Sequence, residues 1–144
     1  MNWRAEYQAG DFTTEELAAA AADMDRILEQ EPQLNDFGYG VYFGIQGQAE
    51  QQASFQECRK SIRAPNSLAQ FIAARRWLRQ FSKRKTICSH GTSYGLKHVA
   101  EHTIGYVTNG VFIAAAIAEG FQARRSDASP NAMFNITSRA WKTE

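Results

Sequence analysis

Residues 110–121 read "GVFIAAAIAEGF", and no other stretch restricts the fold as much. Val111, Phe112, Ile113, three alanines and Ile117 follow with no polar side chain before Glu119. A helix that is apolar on every side belongs in a core, and its alanines let neighbouring elements approach closely. The stretch is too short to cross a bilayer. The spacing predicts a central helix with Asn109 capping its start and Gly120 its end. The alternative to burial is an exposed apolar face that closes a homodimer.

Elements that could surround such a helix are legible on both sides of it. In "DFTTEELAAAAADMDRILEQEP", Thr13 and Glu16 have capping-box spacing, with Phe12 and Leu17 at the staple positions. Leu17, Ala20, Ala21, Met24, Ile27 and Leu28 recur at helical intervals until Pro32. "FGYGVYFGIQG" changes period: Tyr39, Val41, Phe43 and Ile45 alternate with smaller or polar positions, which predicts a strand. "QAEQQASFQECRKSIRAP" predicts a helix with Phe55, Cys58 and Ile62 on one stripe, broken at Pro65 and Asn66. "NSLAQFIAARRWLRQF" follows as a helix with Asn66 or Ser67 as N-cap. After it come a short strand at "KTICS", a helix at "TSYGLKHVAEH", a turn at "TIGYVT" and an extended end at "ASPNAMFNITS". No linker or repeat divides the chain, and 144 residues fit one domain, 1–144. The expected class is α+β, a helix-rich single domain with a small sheet.

The charge is strongly divided along the chain. Residues 1–57 carry eleven acids against two bases, net −9, and residues 58–144 carry fourteen bases against four acids, net +10. The halves leave the whole at +1. Such asymmetry means either internal neutralisation or two faces for different partners. The basic half centres on "ARRWLRQFSKRK", residues 74–85. On a helix Arg75, Arg76 and Arg79 share a stripe while Trp77, Leu78 and Phe81 face away. Lys83, Arg84 and Lys85 continue the charge, and Lys97 and His98 are candidates to lie nearby. Guanidinium groups in this arrangement suit phosphate oxygens. The same stripe would serve as a solvated face, or be neutralised by the acidic first helix.

Several motifs suggest chemistry and lose it on inspection. "TSYGLKHVAEHTIGYVTNGVFIAAAIAEG" has the outline of a helix-turn-helix, but its second helix offers no polar side chain to reach base edges. "FGYGVYFG" shares only Gly38-Tyr39-Gly40 with the aromatic strand of RNA-recognition domains, and Phe37 stands where a base is usual. "HVAEH" matches the H-x-x-E-H zinc-peptidase pattern, with His98 and His102 one turn apart and Glu101 between them. Only 42 residues follow His102, and the apolar helix separates it from Glu119, so no third ligand is in view and no metal ligand is expected. Cys88 and His90 lack a third group. "GTSYG" has neither phosphate-loop nor nucleophile-elbow spacing, and "SYGLK" sets Tyr and Lys three apart rather than four. No enzyme and no cofactor is expected from these residues. A small metal-dependent hydrolase stands as the third reading of function.

"KTICSHGTSYGLKHVAEHTIGYVTNGVFIAAAIAEGFQ" followed by "PNAMFNI" resembles small uncharacterised proteins of bacteriophages and plasmids. Those carry similar Ser-Tyr-Gly-Leu-Lys-His and Asn-Gly-x-Phe-Ile-Ala-Ala-Ala segments. The resemblance leaves the acidic half unmatched and carries no catalytic residues. It implies a setting in mobile elements, where small non-enzymatic proteins bind nucleic acid or block a host defence. The expected function is therefore binding of nucleic acid or a nucleoprotein complex. Arg75, Arg76, Arg79, Lys83, Arg84, Lys85 and Lys97 would hold phosphates, and Tyr94 would stack. The alternative is an inhibitor of a host defence protein, of anti-CRISPR or anti-restriction type. It would dock through the acidic half by Glu15, Glu16, Asp23 and Asp25. The N-terminus "MNWRAEYQAGDF" shows no signal region, so a cytoplasmic setting without membrane contact is expected, with Cys58 and Cys88 as reduced, buried thiols.

Overall fold

The structure, a computed structural model, describes residues 6–142. It is α+β and helix-rich, with five α-helices and two small antiparallel sheets among the described residues. After a 3-10 turn (Ala9–Asp11), α1 (Thr14–Gln30) begins on the expected capping box. The Thr13 hydroxyl oxygen accepts from the Glu16 N–H at 3.1 Å, and the Glu16 carboxylate accepts from the Thr13 N–H at 2.9 Å. Ala20, Met24, Ile27 and Leu28 form its buried stripe.

β1 (Leu34–Asn35) and β2 (Gly38–Tyr39) form a two-residue hairpin, Leu34 opposite Tyr39. The strand expected through Ile45 therefore stops at Tyr39. The other arm of the hairpin runs back into the end of α1 at Pro32, so nothing remains to extend the ladder beyond the Gly40 N–H bond to the Gln33 carbonyl. The alternating residues that follow lie in a loop, with Phe43 90% exposed.

α2 (Gln48–Ser61) lies across the end of α1. The Arg59 guanidinium donates to the carbonyls of Leu28, Glu31 and Leu34, answering acceptors that a helix end leaves open. α3 (Pro65–Leu78) starts one residue before the expected caps, because Pro65 occupies the first helical position and Ala64 is the N-cap. Asn66 instead accepts the Ala9 N–H at 2.8 Å, and Ser67 donates to the Ser61 carbonyl.

α4 (Ser93–Ile104) is followed closely by α5 (Asn109–Ala118), so the turn expected at 103–108 shortens to Gly105–Thr108. Thr108, not Asn109, caps α5, accepting the Val111 N–H at 3.2 Å; Asn109 is the first helical residue and points inward. Gly120, at φ 87°, ends the helix as expected. Its N–H reaches the Ile117 carbonyl while the Phe121 N–H reaches Ala116, the paired bonds of a Schellman closure.

β3 (Ala123–Arg125) pairs with β4 (Ala132–Phe134), Arg124 opposite Met133. The "KTICS" segment makes no strand. It and the two residues before it touch the end of β4 and its continuation at separated points, through a Lys83–Ile136 bridge and through the Arg84 and Cys88 N–H groups on the Asn135 and Phe134 carbonyls.

α5 is the centre of the hydrophobic cluster. Val111 through Ala116 are fully buried, and the helix packs most extensively on α3 while also meeting α1, α4 and both small sheets. The Phe112 ring lies 6.2 Å from those of both Trp77 and Phe134. At Gly110 the Asn35 carbonyl oxygen occupies the place a Cβ would take, so only glycine lets the hairpin approach α5 this closely. The helix is thus core and not a dimer-closing surface. No helix among the described residues is long and apolar enough to cross a membrane.

Candidate functional site

The opposite charge for the α3 arginines comes from inside the chain. Arg75 bonds Glu119 and Asp23, each at 2.6 Å, and Arg79 grips both oxygens of Glu119 at 2.7 and 3.1 Å. Arg76 reaches Glu16 at 3.2 Å, with its guanidinium over the Phe12 ring. Arg63 holds Asp25 by two bonds, and Arg26 pairs with Asp23. Burial pushes the Glu119 and Asp23 carboxyls up, but the guanidinium hydrogen bonds and charges outweigh it and hold both below their ordinary values. The stripe expected to meet phosphates is therefore occupied by Asp23, Glu16 and Glu119, and three of the four acids expected to meet a protein hold arginines, Asp25 through Arg63. Glu15 alone of those acids makes no ion pair.

Lys83, Arg84 and Lys85 are placed differently. All three are exposed on the extended segment beyond α3, with no carboxylate of the described residues in ion-pair range. Asn135 joins this segment to β3 and β4: its amide donates to the Arg84 carbonyl, and its side-chain oxygen accepts the Gln122 N–H. Arg124 is exposed on β3, and Arg139 lies against the Phe81 ring just before the segment. Among the described arginines, Arg84, Arg124 and Arg139 make no side-chain hydrogen bond or ion pair. The others hold carboxylates or, for Arg59 and Arg125, backbone carbonyls. Arg124 and Arg139 stand singly in the sequence, and the fold sets the elements that carry them beside the 83–85 segment, β3 through Gln122 and Asn135, and Arg139 through Phe81.

Lys97 does not belong to that group. It is 4% exposed, and its ammonium bonds Glu101 at 3.0 Å, one turn along α4. The rings of Tyr94 and Tyr106 lie over it at 5.3 and 5.2 Å. These side chains border a cleft of about 470 Å³ between α4, the start of α5, the hairpin and the turn before β4. Asp36, Cys58 and Asn131 line its other wall. Burial raises the Asp36 carboxyl, against the Thr108 hydroxyl donating to it at 2.6 Å; burial and then Asp36 raise the Cys58 thiol. Asn109 also lines the cleft: the buried Ser93 hydroxyl donates to its side-chain oxygen, and its amide reaches Asn131 at 3.0 Å.

The large exposed apolar side chains gather here too. Tyr94 and Tyr106, each about half exposed, form the rim. Tyr42 packs edge-on to Phe37 in the wall, and Phe43 lies on Tyr42. Tyr94 is thus available for stacking, but beside a cleft rather than beside the arginine stripe. Asp36, Tyr106 and Asn131 carried no periodic or motif signal that would have marked them in the sequence.

The H-x-x-E-H segment is absorbed into this wall. His98 Nδ1 lies 2.9 Å from one Glu101 oxygen, and the other accepts from Lys97 and the Val107 N–H. A carboxylate so occupied is poorly placed as a general base. Among the described residues no three His, Cys, Asp or Glu side chains are placed to hold a metal ion. Cys58 and Cys88 are free thiols; Cys88 is buried as expected, whereas Cys58 is only half-buried because it borders the cleft, and His90 packs on Trp141. Comparison of the chain with protein-family models, curated proteins and solved structures finds no significant match.

Proposed function

We propose that the protein is a non-enzymatic binder of nucleic acid or a nucleoprotein complex. In this reading it holds phosphates through the group formed by Lys83, Arg84, Lys85, Arg124 and Arg139. One observation supports the reading most. In a chain that binds its other described arginines to carboxylates or carbonyls, the three guanidiniums without such partners lie on this segment and the elements that adjoin it, beside Lys83 and Lys85, which have no carboxylate partner; Lys83 and Arg139 rest on the rings of Phe121 and Phe81. Arginine and lysine ends free of carboxylates can displace counterions from a phosphate backbone without first breaking an internal pair. The α3 stripe would have to give up Glu119, Asp23 and Glu16 to do the same. The contact is sequence-independent, since nothing in the ribbon presents a helix or long strand to a groove.

Gel-shift or anisotropy titration against salt tests this. Lys83→Ala/Arg84→Ala/Lys85→Ala is expected to stay folded and lose affinity for all sequences, with a shallower salt slope of up to about one unit per lost contact. Arg75→Ala/Arg79→Ala is expected to lower the thermal midpoint and leave the salt slope unchanged. Failure of the wild type to bind any nucleic acid at low salt refutes the proposal, as does unchanged binding by the triple variant.

A further inference from the structure

The aromatic-rimmed cleft lies apart from the basic ribbon and has its own recognition chemistry. We infer that it is a nucleobase site, which takes one unstacked base of a single strand whose phosphates the ribbon holds. The inference rests on the nucleic-acid reading for the strand, but its geometry is independent of the ribbon.

Volume and charge limit what can enter. About 470 Å³ is within the range of small-ligand sites, about 300–1,000 Å³. The Lys97 ammonium is matched by Glu101, so a phosphate finds no uncompensated cation there. A cationic group would meet the Asp36 carboxyl, whose ionised form burial disfavours, and would share the cleft with that same ammonium. A neutral planar group fits best.

The walls suit such a group. Tyr94 and Tyr106 each keep about half their surface open while Lys97 lies under both rings. Tyr94 is further held edge-on by His98, with centroids 4.6 Å apart. Rings fixed in this way lose little freedom on binding, which favours stacking. Polar groups for a base edge stand across from them. Asp36 receives Thr108 on Oδ1 and nothing on Oδ2, and the Asn131 side-chain oxygen is taken by Asn109 while its amide N–H groups have no acceptor. One free acceptor and one free donor thus line the same cleft, the two kinds of group that a base edge requires. The start of β4 is joined to the cleft through Asn131 and its continuation to the ribbon through Asn135 and Ile136. At about 3.3 Å per residue, the two sites are thus linked by a strand path of roughly 17 Å.

The test compares a short single strand with its duplex by anisotropy, alongside NMR titration with free nucleosides. The single strand is expected to bind at least about tenfold tighter. Tyr94→Ala/Tyr106→Ala should remove that preference, with a five- to hundredfold loss of the order seen for base stacking, and keep the salt slope. Asp36→Asn should change which nucleoside shifts the His98 and Tyr106 resonances most. Equal affinity for strand and duplex, with the tyrosine variant indistinguishable from wild type, overturns the cleft assignment and leaves the ribbon reading standing. If neither nucleic acid binds, the ribbon reading fails. Nucleoside shifts centred on the cleft would still support a base site, and their absence would overturn it.

Discussion

Glu119 is the one acid between Glu101 and Asp127, and it holds two arginines at once. Its side chain is 11% exposed, and Arg75 beside it is 21% exposed, so water can replace little of what a substitution removes. Glu119→Gln is expected to cost about 2 kcal/mol, as hydrogen bonds to charged groups do, read as a lower denaturant midpoint. The pH dependence follows from the same contacts. Glu119 and Asp23 titrate below their ordinary values of 4.5 and 3.8 in the folded protein, so the native state binds fewer protons than the unfolded chain in that range. The stabilisation is complete above those ordinary values and is lost as pH falls through the lower native ones. Glu119→Gln should make the acid side of the stability profile shallower. A profile identical to wild type would show that these pairs contribute nothing.

At the scale of elements, α5 shows how a helix with almost no polar face finds its place. Its ends are fixed by Thr108 and Gly120, and its flanks are accepted by α3, α4 and the hairpin because Gly110 and three alanines leave room for them. Phe112, fully buried between Trp77 and Phe134, is the largest side chain it contributes. Phe112→Ala should cost about 3–5 kcal/mol, a large part of the roughly 5–15 kcal/mol that holds a domain together. Chemical denaturation, or aggregation on expression, reads the effect. A loss below about 1 kcal/mol would mean that the core closes around the gap, contrary to the packing described.

At the scale of the molecule, the acidic and basic halves meet across α1, α3 and the end of α5. Charge without an ion-pair partner is left at the ribbon and, on the acidic side, at Glu15 and Glu29 of α1 and Glu50 and Glu57 of α2 among others. This seam differs from the rest of the core because several of its contacts depend on ionised carboxylates and only some on buried apolar area. Hydrogen exchange should reflect that. As pH falls toward the native range of Glu119 and Asp23, α1 amides are expected to lose protection before α5 amides do. Simultaneous loss in both helices would show one cooperative unit held mainly by the apolar core.

Thr13 with Glu16, the 20-24-27-28 stripe, the apolar run of α5 and the Gly120 stop are local signals. Each acts within a turn or two of helix, and each was legible in the residues alone. The period-2 pattern at 39–45 was equally clear and misled, because a strand needs a partner and the chain supplied only two residues of one. The charge division was legible as well, but not its resolution. Whether Arg75 meets Glu119, 44 residues away, or a phosphate depends on how α3 and α5 pack. Lys97 looked like a surface cation until its helix was set against the loop that carries Tyr106. Asp36, Tyr106 and Asn131 come from separate parts of the chain, and only tertiary packing brings them to one cleft. Local hydrogen bonding and hydrophobic period are written along the sequence. The partner of a charge or an aromatic ring is decided by what the fold brings within about 4–6 Å of it.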